Sequence, residues 1–424
     1  MTDGPASPPP AEQGPHEQEP AEAAPLLVLS GALPAVVETR ADLALTVEAL
    51  AGGSGPFAVD AERASGHRYS QRAYLLQLRR AGAGTALIDP VPFGDVPNDS
   101  LEPLATALGD TEWIIHAASQ DLPCLAELGM RPRRLFDTEL AARLLNYPRV
   151  GLGIMVGDLL GFRMRKEHSA VDWSKRPLPE SWLLYAALDV ELLIELRNVL
   201  AAQLEAHGKS EWARQEFAAW ATMPEPTPRR EPWRRTSGIH KVRGRRGLAI
   251  VRAMWEQRDE LARLRDVTAS RIITDAAIVA AASAAPDSRN ALGRLPAFTS
   301  RGGQRYLKEF SAAVAEALSL TERDLPQLAP QQDGPPPARA WADKDPAAAA
   351  RLGRCRETVI GLAELHDLPQ ENLLAPDAVR RLAWTPPEPA TVEAVTALLD
   401  DLGARPWQVE ITAAALAEAL QSDQ

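Results

Sequence analysis

Two carboxylates lie one residue apart at the end of an apolar stretch, Phe57-Ala58-Val59-Asp60-Ala61-Glu62. The stretch predicts a short β-strand, and side chains at positions i and i+2 of a strand lie on the same face. Asp60 and Glu62 are therefore expected to project together from one edge of the core. Burying two adjacent carboxylates is costly unless a cation lies between them, and hard oxygen ligands suit Mg²⁺ or Mn²⁺. Taken alone, the hexapeptide fits a strand that ends in two solvated acids better than a metal site.

Two acidic elements further along the chain could complete such a site. Asp121 ends the segment His116-Ala117-Ala118-Ser119-Gln120-Asp121, at a predicted strand-to-helix junction on the rim of a sheet. Tyr185 and Asp189 are four residues apart in a predicted helix, and so they share one helix face. Four carboxylates could hold two divalent ions about 3.5–4 Å apart, an arrangement that clamps the attacking and leaving oxygens of a phosphodiester. A tyrosine, with a pKa of about 10, stays protonated at neutral pH and suits the orientation of the attacking water.

The elements around these residues predict an α/β domain. Alternating and apolar runs indicate strands near residues 36–38, 57–62, 74–78, 86–89, 112–116 and 134–137. Short glycine-containing connections between the second, third and fourth strands predict antiparallel hairpins. Helices are expected near residues 40–50, 101–108, 138–145 and 152–160, with another that starts around residues 120–123 and a long one over 180–204. The order of these elements predicts a mixed sheet covered by helices.

Composition divides the 424-residue chain into several segments. We expect a disordered Pro- and Glu-rich tail at 1–25, the α/β domain at 26–222 and a basic Pro-rich linker at 223–238. A helical domain follows at 239–325, then a second Pro-rich linker at 326–346 and a second helical domain at 347–424. The apolar positions between residues 261 and 286 recur 101 residues later, between 362 and 387, which predicts two copies of one helical module.

Charge and cysteine content narrow the class of protein. The net charge of −11 argues against a generally basic nucleic-acid coat protein but leaves room for a local basic channel. Two distant cysteines make a disulfide framework improbable and fit a reducing compartment. Neither a signal peptide nor an apolar run of 18 residues is evident. We therefore expect a cytoplasmic protein with no membrane association, and no obligate protein partner is inferred.

The spacing of these motifs resembles a known family. Asp60-x-Glu62, His116-x4-Asp121 and Tyr185-x3-Asp189 resemble the three motifs of the DEDDy 3′–5′ exonucleases. Leu76-Gln77-Leu78 and Trp173-x2-Arg176-Pro177-Leu178 narrow the resemblance to ribonuclease D. It covers about residues 35–215 and continues in the helical modules, which resemble HRDC domains, more weakly in the second.

The resemblance implies a fold and an activity. The fold is an RNase H-like (DnaQ-like) α/β exonuclease domain with a mixed sheet, followed by two all-α HRDC-type domains. The activity is removal of nucleotides from RNA 3′ ends with two divalent metal ions, Mg²⁺ or Mn²⁺. The expected partners are RNA molecules, namely tRNA precursors and structured RNA 3′ ends. The alternatives are a DNA 3′–5′ exonuclease and a catalytically silent RNA-binding scaffold.

The same resemblance implies roles for individual residues. The metal ligands are Asp60, Glu62, Asp121 and Asp189, and Tyr185 orients the attacking water. Predicted substrate contacts are Gln77, His116, Lys166 and Arg176. For His116 a role in orienting Asp121 is equally compatible, and for Gln77 so is an inward polar group satisfied by backbone. Asp137 is expected to cap a helix rather than to bind metal.

Two groups of cations are candidates for contacts to RNA phosphates. The first lies beside the acidic motifs and comprises Arg163, Arg165, Lys166, Lys175 and Arg176. The second, which we call the basic strip, spans the first linker and comprises Arg229, Arg230, Arg234, Arg235, Lys241, Arg243, Arg245 and Arg246.

Overall fold

The computed structural model of the chain describes residues 24–93, 101–165, 168, 170–224, 229–329 and 334–421. Most of the predicted tail lies outside these residues, as do parts of both predicted linkers. The described chain forms an N-terminal α/β domain followed by two helical domains, which is the predicted fold class. Within this part of the chain, none of the helices combines the length and the apolar character needed to cross a membrane.

The N-terminal domain is built on one six-stranded sheet. Its strands are β1 (Val36–Val37), β2 (Ser54–Arg63), β3 (Ala73–Ala81), β4 (Gly84–Ile88), β5 (Glu112–Ile115) and β6 (Arg134–Asp137). They lie in the order β1-β4-β3-β2-β5-β6. The pairs β2–β3 and β3–β4 are antiparallel, and the other three pairs are parallel. The predicted hairpins and mixed sheet are therefore present, and the parallel strands β2, β5 and β6 end at one common edge.

Helices cover both faces of this sheet. They are α1 (Arg40–Gly52), α2 (Glu102–Leu108), α3 (Leu122–Glu127), α4 (Thr138–Leu144), α5 (Leu152–Leu160), α6 (Glu180–Glu191), α7 (Leu193–Ala206) and α8 (Ser210–Ala221). Three consecutive residues of β2, Phe57, Ala58 and Val59, are completely buried. Because their side chains alternate between the two faces, both faces must be covered.

The long helix predicted over residues 180–204 is two helices in the structure. The chain leaves helical geometry at Leu192, with φ −114° and ψ 10°, between α6 and α7. Just before this break, Glu191 is buried, accepts a hydrogen bond from the Ser30 N–H at 3.0 Å, and pairs with Arg79 at 3.1 Å. These contacts tie the end of α6 to β3, and α6 packs across β2, β3 and β4.

The two helical domains share a run of three elements, a long helix followed by a four-residue helix and a helix of 10 or 9 residues. The first contains α9 (Gly244–Arg265), α10 (Ala269–Ile272), α11 (Asp275–Ala284), α12 (Arg289–Gly293), α13 (Arg301–Arg305) and α14 (Leu307–Ser319). The second contains α15 (Trp341–Lys344), α16 (Pro346–Leu365), α17 (Gln370–Leu373), α18 (Pro376–Trp384), α19 (Val392–Asp401) and α20 (Pro406–Gln421). Asp266 and Asp367, 101 residues apart, follow α9 and α16 with left-handed φ values of 44° and 51°. The repeat seen in the sequence is thus also a repeat of backbone geometry.

Both helical domains begin before the boundaries expected from composition. Trp233, in the predicted first linker, is 3% exposed and belongs to the core of the first helical domain. Trp341, in the predicted second linker, is fully buried, and its indole N–H donates to Pro336 O at 2.7 Å. Proline-rich composition suggested linkers, but each segment supplies a large aromatic side chain to the domain that follows it.

The two repeated aspartates both lie at contacts with the N-terminal domain. Asp266 Oδ1 accepts a hydrogen bond from the Ser70 N–H at 2.9 Å. Asp367 Oδ1 accepts one from Asn146 Nδ2 at 2.6 Å. Lys209 strengthens the second contact, because its buried ammonium donates to Leu144 O and Asp367 O, each at 2.8 Å.

Replacement of Lys209 by alanine is expected to destabilise the protein. It would leave two carbonyl oxygens without their donor, at a cost of about 1–3 kcal/mol for each buried unsatisfied group. The midpoint of thermal unfolding should fall by about 2–4 °C or more. Lys308→Ala, at an exposed lysine of α14, is the matched control and should unfold as the unchanged protein does. Equal midpoints for the two variants would contradict a bridging role for Lys209.

Candidate active site

Carboxylates from β2 and α6 meet at the edge of the sheet. Side-chain oxygens of Asp60, Glu62 and Asp189 all lie within 4.8 Å of one another, close enough to share a metal ion. Asp60 and Glu62 share a face because they alternate along β2. Asp189 reaches them from α6, which packs on that strand. The three acids line a cavity of about 430 Å³ that is also lined by Asp121 and Tyr185.

Asp121 completes this acidic set from the other side of β2. It lies just before α3, only 6% exposed, at the end of the turn that follows β5. Its carboxylate lines the same cavity but is not part of the close group of three. The structure thus brings together all four predicted metal ligands and the predicted phenol.

The electrostatics of the cavity favour a bound cation. Burial raises the pKa of Asp60 to about 6. Burial first, and then the charges of Asp60, Asp189 and Asp121, raise the pKa of Glu62 to about 10. Burial and neighbouring carboxylates likewise raise the pKa values of Asp121 and Asp189. Four crowded carboxylates with hard oxygen donors fit divalent metal ions, which would restore their ionised form.

Tyr185 is held against the acids as a neutral phenol. It is hydrogen-bonded to Asp189, four residues later on α6. Burial, followed by the charges of Asp189, Glu62 and Asp60, raises its pKa well above the usual value of tyrosine. The His168 ring packs edge-on against the phenol, with ring centroids 6.0 Å apart. Tyr185 can therefore orient a water molecule by hydrogen bonding, but it is poorly suited to take a proton from one.

Asp137 organises the turn that carries Asp121. Its carboxylate is 4% exposed and accepts four backbone N–H groups. Two belong to Ala117 and Ala118, at 3.1 and 2.9 Å, and two to Glu139 and Leu140, at 2.9 and 3.2 Å. Asp137 thus caps α4, the role favoured from the sequence, and also fixes the turn at Ala117, whose φ is 60°.

His116 is the only predicted substrate contact of the described residues that lines the acidic cavity. Its Nδ1 lies 2.9 Å from Thr138 Oγ1. Burial lowers its pKa to about 4, so that the ring is neutral at physiological pH. A neutral imidazole at this position can hydrogen-bond to substrate without adding charge.

The structure does not favour substrate contacts for Gln77 and Arg176. Gln77 faces Asp60 across the β2–β3 pairing, but its side chain is fully buried, and no hydrogen-bond partner is found among the described residues. The guanidinium of Arg176 binds Asp89 and donates to the carbonyl oxygens of Trp173 and Tyr74, each at 2.8 Å. Arg176 therefore fixes the loop before α6 to strands β3 and β4, and few of its N–H groups remain free to bind phosphate. Lys166 lies outside the described residues.

Some cations of the basic strip are bound to other groups of the protein. Arg245 and Arg246 donate to carbonyl oxygens at the end of the first helical domain, and Arg234 pairs with Glu231 at 2.6 Å. The remaining strip cations are exposed, namely Arg229, Arg230, Arg235, Lys241 and Arg243. Three cations of the other predicted group are exposed as well, namely Arg163, Arg165 and Lys175. These surfaces keep the charge that contacts to RNA phosphates require.

The sequence reasoning missed Arg63, which directly follows Glu62. Its side chain lines the acidic cavity, and Nη2 lies 3.8 Å from Asp121 Oδ1. The signal was present in the sequence as a cation adjacent to the acid pair, but alternation along a strand would have placed it on the opposite face. A register irregularity between Glu62 and Arg63 in the β2–β3 pairing ends that regular alternation.

Comparison with known proteins gives matches over most of the chain. Residues 34–205 match the family model described as 3′–5′ exonuclease, and residues 247–314 match the HRDC domain model. Residues 334–420 match a model described as 3′ to 5′ exonuclease C-terminal domain. Ribonuclease D of Gluconacetobacter diazotrophicus is 31% identical over 366 residues, which cover 83% of this chain and 87% of that protein.

Two solved structures resemble the whole chain. A protein from Bifidobacterium adolescentis is 36% identical, with a TM-score of 0.86, over 94% of this chain and 100% of that one. Escherichia coli RNase D, described as an exoribonuclease involved in structured RNA processing, is 26% identical, with a TM-score of 0.68, over 92% of this chain and 98% of that one. These similarities extend through the helical domains, beyond the acidic site itself.

The acidic cavity predicts an unusual pH dependence of stability. Its carboxyls bind protons more tightly in the folded than in the unfolded protein, so the free energy of unfolding should fall as pH rises. Stability should begin to fall near the pKa of these carboxyls in the unfolded protein, which is about 4. The fall should continue past the folded pKa of Asp60, about 6, and towards that of Glu62, about 10. Metal-free protein should therefore unfold at a lower temperature at pH 9 than at pH 6, and saturating Mg²⁺ should reverse most of this loss.

Glu62→Gln tests the origin of the effect, because it removes the carboxyl whose pKa is raised to about 10. The thermal midpoint of this variant should depend less on pH and respond less to Mg²⁺. A metal-free protein whose midpoint is unchanged or higher at pH 9 would contradict the electrostatic account of the cavity.

Proposed function

The chain belongs to the ribonuclease D family and is a 3′–5′ exoribonuclease, and from this premise we propose which residues carry the hydrolysis. Asp60, Glu62, Asp121 and Asp189 would hold two divalent metal ions. The observation that supports this most directly is the group of carboxylate oxygens of Asp60, Glu62 and Asp189, within 4.8 Å of one another in the cavity that Asp121 also lines. Mg²⁺ and Mn²⁺ both suit such ligands.

The bound ions would supply an activated water and offset the negative charge on the leaving oxygen. The residues of the chain itself position the reacting groups. The four carboxylates are fixed by β2, by α6 and by the turn that Asp137 holds. The phenol of Tyr185 donates to Asp189, and its oxygen can accept a hydrogen bond from the attacking water. His116, on the wall of the cavity, can contact the terminal nucleotide.

We propose the 3′ ends of tRNA precursors and other structured RNA as substrates. The similarity to Escherichia coli RNase D along almost its whole length supports this choice. The exposed cations of the basic strip offer further contacts to the RNA backbone. A cytoplasmic location stays a prediction, with which two buried free thiols, Cys124 and Cys355, agree.

The experiment is a time course on a 3′-extended tRNA precursor labelled at its 3′ end. Mononucleotides should be released with Mg²⁺ or Mn²⁺, release should stop on addition of EDTA, and it should resume when metal is restored. A DNA strand of the same sequence, tested in parallel, should be cleaved much more slowly. Equal cleavage of DNA would favour a DNA exonuclease, and binding of RNA without cleavage would favour a silent scaffold.

Asp60→Asn and Asp189→Asn should each abolish this release while the protein remains folded. Each replaces a charged ligand by an amide of the same shape, so the metal pair loses a carboxylate without loss of packing. The far-ultraviolet circular dichroism spectrum checks the fold of each variant. Full activity of either purified variant would rule out the assigned site.

Tyr185→Phe separates water orientation from metal binding. It keeps the ring but removes the hydroxyl, and misorientation of the water should lower kcat by about 100-fold. The Mg²⁺ concentration that gives half-maximal activity should change little, because the four carboxylates remain. A variant with unchanged kcat would contradict the role assigned to the phenol.

A further inference from the structure

We propose that Arg63 binds the scissile phosphate during hydrolysis, as a further catalytic residue beside the four carboxylates. The proposal rests on the function proposed above and assigns a role to a side chain outside the three acidic motifs. Arg63 is the last residue of β2, immediately after Glu62. Its side chain lines the acidic cavity together with Asp121 and Tyr185.

The guanidinium of Arg63 lies near the acids but makes no hydrogen bond to them. Its Nη2 is 3.8 Å from Asp121 Oδ1, which is an ion pair but is longer than a hydrogen bond. Among the described residues, the guanidinium has no hydrogen bond to the protein, and the side chain is 25% exposed. Its N–H donors therefore remain available to a ligand that enters the cavity.

Two other arginines of the N-terminal domain, Arg68 and Arg176, do not line the cavity and are bound to the protein itself. Arg176 binds Asp89 and three carbonyl oxygens. Arg68 donates from Nε to Ser174 Oγ at 2.7 Å and pairs with Asp266 at 4.0 Å. Arg63 differs from both because it lines the acidic cavity and its planar fork of donors makes no hydrogen bond to the described residues.

A count of formal charges explains what this cation could do. Four carboxylates and two divalent ions cancel, so a phosphodiester brings one negative charge into a neutral cavity. Attack by a water molecule that gives up its proton to solvent would add a second negative charge in the transition state. A guanidinium beside the phosphate offsets that added charge, and arginine can bind two phosphate oxygens at once.

The competing explanation is that Arg63 only holds Asp121 in place. The two explanations predict opposite changes in metal binding when the charge is removed. If Arg63 positions Asp121, its loss should weaken metal binding. If Arg63 serves the phosphate, its loss removes a positive charge that repels the metal ions, and metal binding should become tighter.

The test compares Arg63→Gln and Arg63→Lys in the full chain. Two quantities are measured: kcat on 3′-labelled RNA at saturating Mg²⁺, and Mn²⁺ binding to the RNA-free protein by electron paramagnetic resonance. Arg63→Gln should lower kcat by about 100-fold and tighten Mn²⁺ binding by about threefold. Arg63→Lys keeps the charge but not the fork, so it should lose less kcat and leave Mn²⁺ binding unchanged. Arg40→Gln, an exposed arginine at the start of α1, is the control and should alter neither quantity.

Each outcome decides the proposal. Unchanged kcat in Arg63→Gln would overturn it, and so would lower kcat accompanied by weaker Mn²⁺ binding, which would make Arg63 a positioning residue for Asp121. If the circular dichroism spectrum of Arg63→Gln differs from that of the unchanged protein, this variant is misfolded and is left out of the comparison. The kcat and Mn²⁺ affinity of Arg63→Lys then decide between the two explanations. If the unchanged protein releases no nucleotides from RNA in the presence of metal, the proposed function itself is wrong. That result comes from the unchanged protein alone and does not depend on the Arg63 variants.

Discussion

Repulsion among four carboxylates in one cavity is the constraint on which the rest of this structure depends. Side-chain oxygens of Asp60, Glu62 and Asp189 lie within 4.8 Å of one another although burial and like charge penalise the ionised forms of these residues. Such a cluster persists only because well-packed elements hold it, since the acids themselves favour separation. The central strand β2 and the helix α6 that crosses it supply this rigidity, and divalent cations would remove the repulsion.

The supporting contacts are also polar and buried, and each fixes one part of the site. Asp137 uses four backbone N–H groups to join α4 to the turn before Asp121. Arg176 joins the loop before α6 to Asp89 at the end of β4. Such networks cost little when every member is satisfied and are strongly destabilising when one is removed. The positions of the four carboxylates thus depend on side chains that do not themselves line the acidic cavity.

The sequence was sufficient for the features that depend on local pattern. Alternation along β2 and the four-residue spacing of Tyr185 and Asp189 predicted that these side chains come together, and in the structure they line one cavity, because the period of a strand or helix determines which face a side chain occupies. The sequence pattern was insufficient where tertiary packing determines whether a side chain is buried or bound. The roles expected of Gln77 and Arg176 required polar groups free to contact the substrate, whereas Gln77 is buried and the guanidinium of Arg176 is hydrogen-bonded to the protein. Arg63 was missed because an irregularity in strand pairing, invisible in the pattern, ends the regular alternation at that residue.

The central claim is that the four carboxylates form a cage for two metal ions, and anomalous diffraction from crystals soaked in Mn²⁺ tests it most directly. The account predicts two anomalous peaks about 4 Å apart, bound by oxygens of Asp60, Glu62, Asp121 and Asp189. In crystals of Asp189→Asn at least one of these peaks should be lost. A fully occupied Mn²⁺ bound elsewhere, with no peak between Asp60, Glu62 and Asp189, would contradict the account.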